Sequence, residues 1–188
     1  MNNISKRFLF TLIINLMRSI LGFTVGLLLA NGLGVVDYGR FSFLLATLIS
    51  FITLLDMGTS NAFFTFISKS KQALRFYCFY LAWVSLQFIT VCLLIYVFTP
   101  DSVLSSIFVG ENRKLVLLAF IAAFFQQQVW NLLSQIAEAH RETIKIQWVS
   151  LYVAVFNFIS IAILYYFGAL LVELVFSLII FQYVCVII

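Results

Sequence analysis

Residues 8–34 read FLFTLIINLMRSILGFTVGLLLANGLG, an apolar run interrupted by a single charge, Arg18. At ~1.5 Å of rise per residue such a run, taken as a helix, exceeds the ~30 Å hydrocarbon core of a bilayer. Five further runs follow at 41–67, 76–99, 115–137, 148–167 and 170–188. Asp56 is the one charge in the second and Glu173 lies near the start of the sixth, while the three runs between them carry none. The pattern predicts an all-α integral membrane protein of about six transmembrane helices.

Composition excludes the alternatives. Of 188 residues, 64% are hydrophobic and 10% charged, where an ordinary globular domain has about 45–50% and about 25%. Eleven Lys and Arg with seven Asp and Glu cannot give each helix the polar face that water demands. Twenty-two Phe, eight Tyr and three Trp suit acyl chains and headgroup belts. The net charge of +4 comes from basic residues scattered between apolar runs, which is no footprint for nucleic acid. Cys78, Cys92 and Cys185 lie inside apolar runs with no metal-ligand spacing and read as small membrane-helix residues. A cleaved leader is not expected after Lys6-Arg7, because the apolar stretch outruns an h-region and contains Arg18.

Loop charges set the orientation. One side holds seven basic residues, Lys6, Arg7, Lys69, Lys71, Arg75, Arg141 and Lys145; the other holds three, Arg40, Arg113 and Lys114. The N-terminus is therefore expected in the cytoplasm of a multi-pass protein of the cell membrane. Segments 68–75 and 138–147 then face inward, and 35–40, 100–114 and the Gly168-Ala169 turn face outward. Pro100, the one proline, marks the 100–114 loop. The sixth run is barely long enough to cross and ends without a basic flank, so the chain is expected to be the front part of a longer one.

Ionisable groups in lipid are costly, which singles out Arg18 and Asp56. Thr11, Asn15, Arg18, Gly22 and Gly26 follow helical spacing on one face, as do Ser42, Ala46, Ser50, Thr53, Asp56 and Ser60. Two readings stand. In one, small residues let helices approach and hydroxyls bond across the contact; in the other, the stripes line a hydrophilic cavity with Arg18 as an anion contact. Gln127, Asn131, Ser134 and Glu138 mark a third polar face, with Gln126 and Gln128 beside it, read as a water-lined wall or a polar helix seam. Ser150, Asn157 and Ser160 repeat it thinly; the third run offers Ser85, Gln87 and Thr90. No catalytic set is present, since His140, the one histidine, lies in an inward-facing loop apart from any embedded Ser or Asp partner. Metal-ligand spacing and a Walker-type loop are also missing from the sequence, so neither enzyme chemistry nor a cofactor is expected.

Arg18, Leu33-Gly34, Asp37-Tyr38-Gly39, Phe41-Ser42-Phe43 and Asp56-Met57-Gly58 near Asn61-Ala62 stand in an order and spacing that resembles the start of the polysaccharide-exporting flippases. These belong to the multidrug/oligosaccharidyl-lipid/polysaccharide exporter superfamily. The likeness covers about the first third of the chain; Val35 departs from it, since proline commonly follows the Leu-Gly pair. The resemblance implies a two-lobed transporter working by alternating access, of which residues 1–188 would be an incomplete N-terminal lobe. It implies as substrate an oligosaccharide on a polyprenyl pyrophosphate, moved across the membrane for O-antigen, lipopolysaccharide or capsule biosynthesis. A pyrophosphate in low dielectric needs a cation such as Arg18, and sugars need amides such as Asn15, Gln127 and Asn131. Implied partners are membrane lipid and other glycan-assembly membrane proteins. The rival functions are a multidrug or cation antiporter of the same superfamily, using Asp56, and a non-transporting scaffold.

Arg18 and Asp56 lie 19 residues either side of Asp37. A hairpin centred there would bring them to similar depth as a buried ion pair or coupling pair. The orientation is tested in a cysteine-free chain: a cysteine at Ser105 should be labelled from outside intact cells, and one at Ser70 should not. The opposite pattern reverses the topology.

Overall fold

A computed structural model describes the backbone of residues 3–70 and 73–187, and the side chains of 8–70 and 73–186. Lys71 and the side chains of Lys6 and Arg7, used in the charge count, lie outside the described residues. Among those described there are seven helices and no strand: α1 Asn3–Asp56, α2 Thr59–Lys69, α3 Leu74–Phe98, α4 Asp101–Ile107, α5 Arg113–Ala139, α6 Thr143–Tyr166 and α7 Val172–Ile187.

Four helices are long and apolar enough to cross a membrane: Phe8–Asp56, Leu74–Phe98, Arg113–Ala139 and Thr143–Tyr166. The chain is thus all-α with the makings of a multi-pass membrane protein. The six expected runs redistribute in three ways. The first two share α1, within which Gly34 has φ 78 and ψ 172, outside any helical well. Two segments result, 3–33 and 35–56, each long enough at ~1.5 Å per residue to cross ~30 Å of hydrocarbon. The expected outer loop 35–40 is helical instead, because one glycine absorbs the whole break. Asp37 then sits in the first turn of the new segment, where a negative charge is favoured, and meets Arg40 at 3.0 Å.

The second expected run also stops early, at Asp56, and restarts as α2. The sixth is represented by α7, whose apolar part Val172–Val186 spans only ~22 Å. A short helix, α4, occupies part of the expected 100–114 loop, starting directly after Pro100, whose fixed φ suits a helix start.

The chain divides into two compact units, Met1–Phe41 with His140–Ile188, and Ser42–Ala139. In the first, Phe176 is fully enclosed and its ring lies 5.1 Å from Phe41, while Phe10 meets Trp148 at 5.7 Å. Gly32 is the close-approach glycine: a Cβ there would stand 2.3 Å from Leu170 Cδ1 and 2.9 Å from Tyr165 Cδ2. Gly22 and Gly26, expected to let helices approach, would meet nothing within 4 Å. At the start of α6, Lys145 Nζ bonds Glu142 at 2.7 Å, and that bond with its charge holds the exposed Glu142 carboxyl below the usual carboxylate range.

The second unit is built around α5. Val116, Ala119, Phe120, Ala122 and Ala123 are fully buried, on more than one face of the helix, as expected of a helix enclosed by protein. Phe88 closes on Phe120 and Phe124 at 5.8 and 4.9 Å. Leu44, Leu48 and Ile52 supply a buried stripe at four-residue spacing from the 35–56 segment. Arg113 ends α3: it donates to the Tyr96 carbonyl, to Thr99 O at 2.9 Å and to Asp101 Oδ1 at 2.7 Å, serving carbonyls that a helix end leaves unpaired. Large side chains such as Phe8, Leu12, Leu16, Phe79 and Tyr152 point outward, an arrangement suited to lipid.

Gly34 sits in a region of φ and ψ that only glycine occupies freely, so Gly34→Ala should cost about 1–3 kcal/mol. Gly22→Ala, in open helical space, should be neutral or stabilising by up to about 1 kcal/mol. Unfolding midpoints in detergent micelles decide between them; equal midpoints would remove the special role given to Gly34.

Candidate functional site

Asp56 ends α1, and the next two residues take left-handed backbone, Met57 at φ 46 and Gly58 at φ 80. A helix cannot continue through them. Glycine at 58 makes the second of these steps inexpensive, and α2 begins at Thr59. Its first N–H groups have no intrahelical acceptor, and Asp56 supplies one. Oδ1 accepts from Thr59 Oγ1 at 2.8 Å and from the Ser60 amide at 3.1 Å; Oδ2 accepts from Ser60 Oγ at 2.7 Å. Gln128 Nε2 adds a longer bond to Oδ1 at 3.3 Å.

The site reaches further into its unit. Gln87 Nε2 donates at 3.1 Å to the Leu55 carbonyl, one of the acceptors stranded where α1 stops. Tyr80 stands beside Thr59 and Asp56, its ring stacked on Phe63 at 4.0 Å and 11°. Gln87 lies thirteen residues after Leu74 and eleven before Phe98, and Gln128 lies fifteen after Arg113 and eleven before Ala139. The carboxylate is therefore held at the level of the middle of two apolar helices. All the contacts recorded for it are donors, the arrangement that stabilises an ionised carboxylate away from water.

Gln128 is held by a defect in α5. Residues Phe125–Val129, sequence FQQQV, form a π turn, the wider i→i+5 turn that often marks functional positions. Gln128 is buried, while the Oε1 atoms of Gln126 and Gln135 are enclosed without a partner. The step from Gln127 to Asn131 crosses this turn, so the uniform spacing that put Gln127, Asn131, Ser134 and Glu138 on one face does not hold there. Gln127, Asn131 and Ser134 are half-buried and Glu138 is exposed.

Arg18 and Asn15 belong to the other unit. Arg18 is half-buried, Asn15 is exposed, and Arg18 acts electrostatically on Tyr183. Next to Tyr183 in sequence, Gln182 is buried and accepts from Asn157 Nδ2 at 3.0 Å. The carboxylates of that unit stand elsewhere: Asp37 pairs with Arg40, Glu142 with Lys145, and Glu173 is exposed in the first turn of α7. In the second stripe, Ser50 and Thr53 bond backwards onto their own helix, to Ala46 O and Ile49 O at 2.8 Å; Ser19 and Thr24, outside the stripe of the 3–33 segment, do the same to Asn15 O and Ile20 O at 2.9 Å.

Sequence reasoning singled out Asp56 and Arg18 but missed Thr59 and Tyr80, and left Gln128 as a neighbour. The signal for Thr59 was present: an Asp followed after a Met-Gly step by Thr-Ser is a capping pattern. Among the described residues, no three His, Cys, Asp or Glu stand together as metal ligands. Compared with known proteins, the chain matches no family model, no curated protein and no solved structure.

Removing the Asp56 carboxylate leaves the Ser60 amide, two hydroxyls and the Gln128 amide short of an acceptor. Asp56→Ala should lower unfolding stability by about 1–3 kcal/mol, with Asp56→Asn intermediate, since one carbonyl oxygen remains. Denaturant titration in micelles measures it, and a wild-type midpoint for Asp56→Ala would show that the cluster does not hold the helix break.

Proposed function

We propose that this chain acts in translocating polyprenyl-pyrophosphate-linked oligosaccharides across the cytoplasmic membrane for O-antigen or capsule assembly, with Arg18 as the pyrophosphate contact. The observation that carries the reading is Arg18 itself. It lies midway along the 3–33 segment of an apolar helix, half-buried, and the carboxylates of its own unit are engaged or placed at helix ends. A guanidinium is permanently charged and presents a planar fork of donors that matches phosphate oxygens. Held in an apolar helix without a carboxylate from its unit, it is suited to a counter-ion that arrives with the substrate. Asn15, one turn away, suits sugar hydroxyls. The resemblance at residues 18–62 supplies the substrate class, and an N-terminus in the cytoplasm sets the direction.

The antiporter alternative needs a carboxylate with lone pairs to spare for a cation. Asp56 accepts from Thr59, Ser60 and Gln128, which favours a structural anion over an exchanging one. A scaffold would need no embedded arginine.

Binding to the full chain in nanodiscs of neutral lipid tests the proposal. A labelled polyprenyl-pyrophosphate oligosaccharide should be retained and displaced by polyprenyl pyrophosphate. Arg18→Gln should weaken it about tenfold or more, the size of one lost charge-assisted bond, and Arg18→Lys should fall between, a point charge replacing a fork. Equal retention of the uncharged polyprenol, or unchanged binding by a folded Arg18→Gln chain, would overturn it.

A further inference from the structure

The Asp56 contact to α5 is made by the last of three successive glutamines, Gln126, Gln127 and Gln128, and all three lie within the π turn Phe125–Val129. A π turn is one residue inserted into an α-helix. Where the insertion lies upstream of a residue, that residue takes the place its predecessor would hold in an unbroken helix. Moving the insertion downstream restores the predecessor to that place. For this helix the consequence is chemical equivalence: as the wide turn passes Gln128, Gln127 comes to the position facing Asp56, and the group offered to the carboxylate is again a primary amide. An isolated glutamine flanked by apolar residues would lose the contact on such a step and leave the half-buried carboxylate short of a donor.

Two further observations point the same way. The Gln128 bond, at 3.3 Å, is longer than an ordinary N–H···O bond, whereas the Thr59 and Ser60 hydroxyls hold Asp56 at 2.8 and 2.7 Å; the carboxylate is anchored by its own helix break and its bond to α5 is the exchangeable one. In the present register the Gln126 Oε1 atom is enclosed with no partner, so this arrangement leaves one buried amide oxygen unserved.

We propose that α5 carries a register switch, in which the π turn moves from Phe125–Val129 toward the C-terminal end of the helix and Gln127 replaces Gln128 as the amide donor to Asp56. The step rotates and shifts by one residue only those residues of α5 that the turn passes, while Asp56 stays paired throughout. This inference does not rest on the transport reading; it holds for any activity that uses movement of α5.

A mutant cycle on the full chain in nanodiscs, read by unfolding equilibrium, tests it. Gln128→Leu and Gln127→Leu should each change the unfolding constant by less than about threefold, because the other glutamine takes over the contact. The double variant, left with no second register that supplies an amide, should change it by about tenfold or more, well beyond the product of the single effects, or fail to fold while both singles fold. Single effects that multiply to the double, or a double variant no worse than Gln128→Leu alone, would fix the contact to one register and overturn the proposal. Failure of either single variant to fold would do the same, since no takeover would then have occurred.

Discussion

Lipid offers no hydrogen bonds, so wherever a helix stops at membrane depth the chain itself must serve the backbone groups left over. That constraint governs the second unit. Where α1 gives way to α2, stranded donors and a stranded acceptor are met by side chains: Asp56 takes the Ser60 amide, and Gln87 gives to the Leu55 carbonyl. At the end of α3, beside the expected outer loop, a similar task falls to Arg113, which gathers two carbonyls and the Asp101 carboxylate. Both repairs use charged groups in structural roles. A charge in an apolar chain is therefore not by itself a sign of ligand binding; the test is whether the neighbouring backbone already uses it.

That test separates the two embedded charges which the sequence makes look alike. Asp56 is consumed by its own helix break. Arg18 lies mid-helix, where every backbone carbonyl already has its i→i+4 donor, and so has no backbone repair to make. Tyr183 is its electrostatic neighbour, and the carboxylates of its unit are engaged elsewhere or stand at a helix end. The guanidinium is thus the charge that local structure leaves unexplained.

The fold class and the approximate limits of α3, α5 and α6 were legible because apolar runs of 20 or more residues leave few alternatives. The breaks were harder. The runs 8–34 and 41–67 read as two helices joined by an outer loop at 35–40, yet Gly34 alone makes the break, since one residue in a glycine-only conformation redirects a chain without any loop. Asp56-Met57-Gly58 was hidden inside an apolar run because the residue beside the glycine is Met57, left-handed in spite of its side chain, and hydrophobicity carries no record of φ. The π turn was illegible for a related reason. Periodicity analysis assumes a fixed angle per residue, and an inserted residue changes the phase after it without altering the composition. Gln127 and Asn131 were assigned one face by a count that the helix does not obey.

The glutamine run is where these threads meet. A buried amide is tolerated when paired, and unpaired amide oxygens persist at Gln126 and Gln135 of α5 and at Gln147 of α6. Each leaves an acceptor without its water partner, at a cost of about 1–3 kcal/mol apiece, and leucine in their place would remove that cost. A helix selected for stability alone would carry leucine there. α5 keeps three amides in succession at its π turn, beside the Asp56 carboxylate that repairs the break between α1 and α2, so packing stability alone does not account for the polar residues of α5.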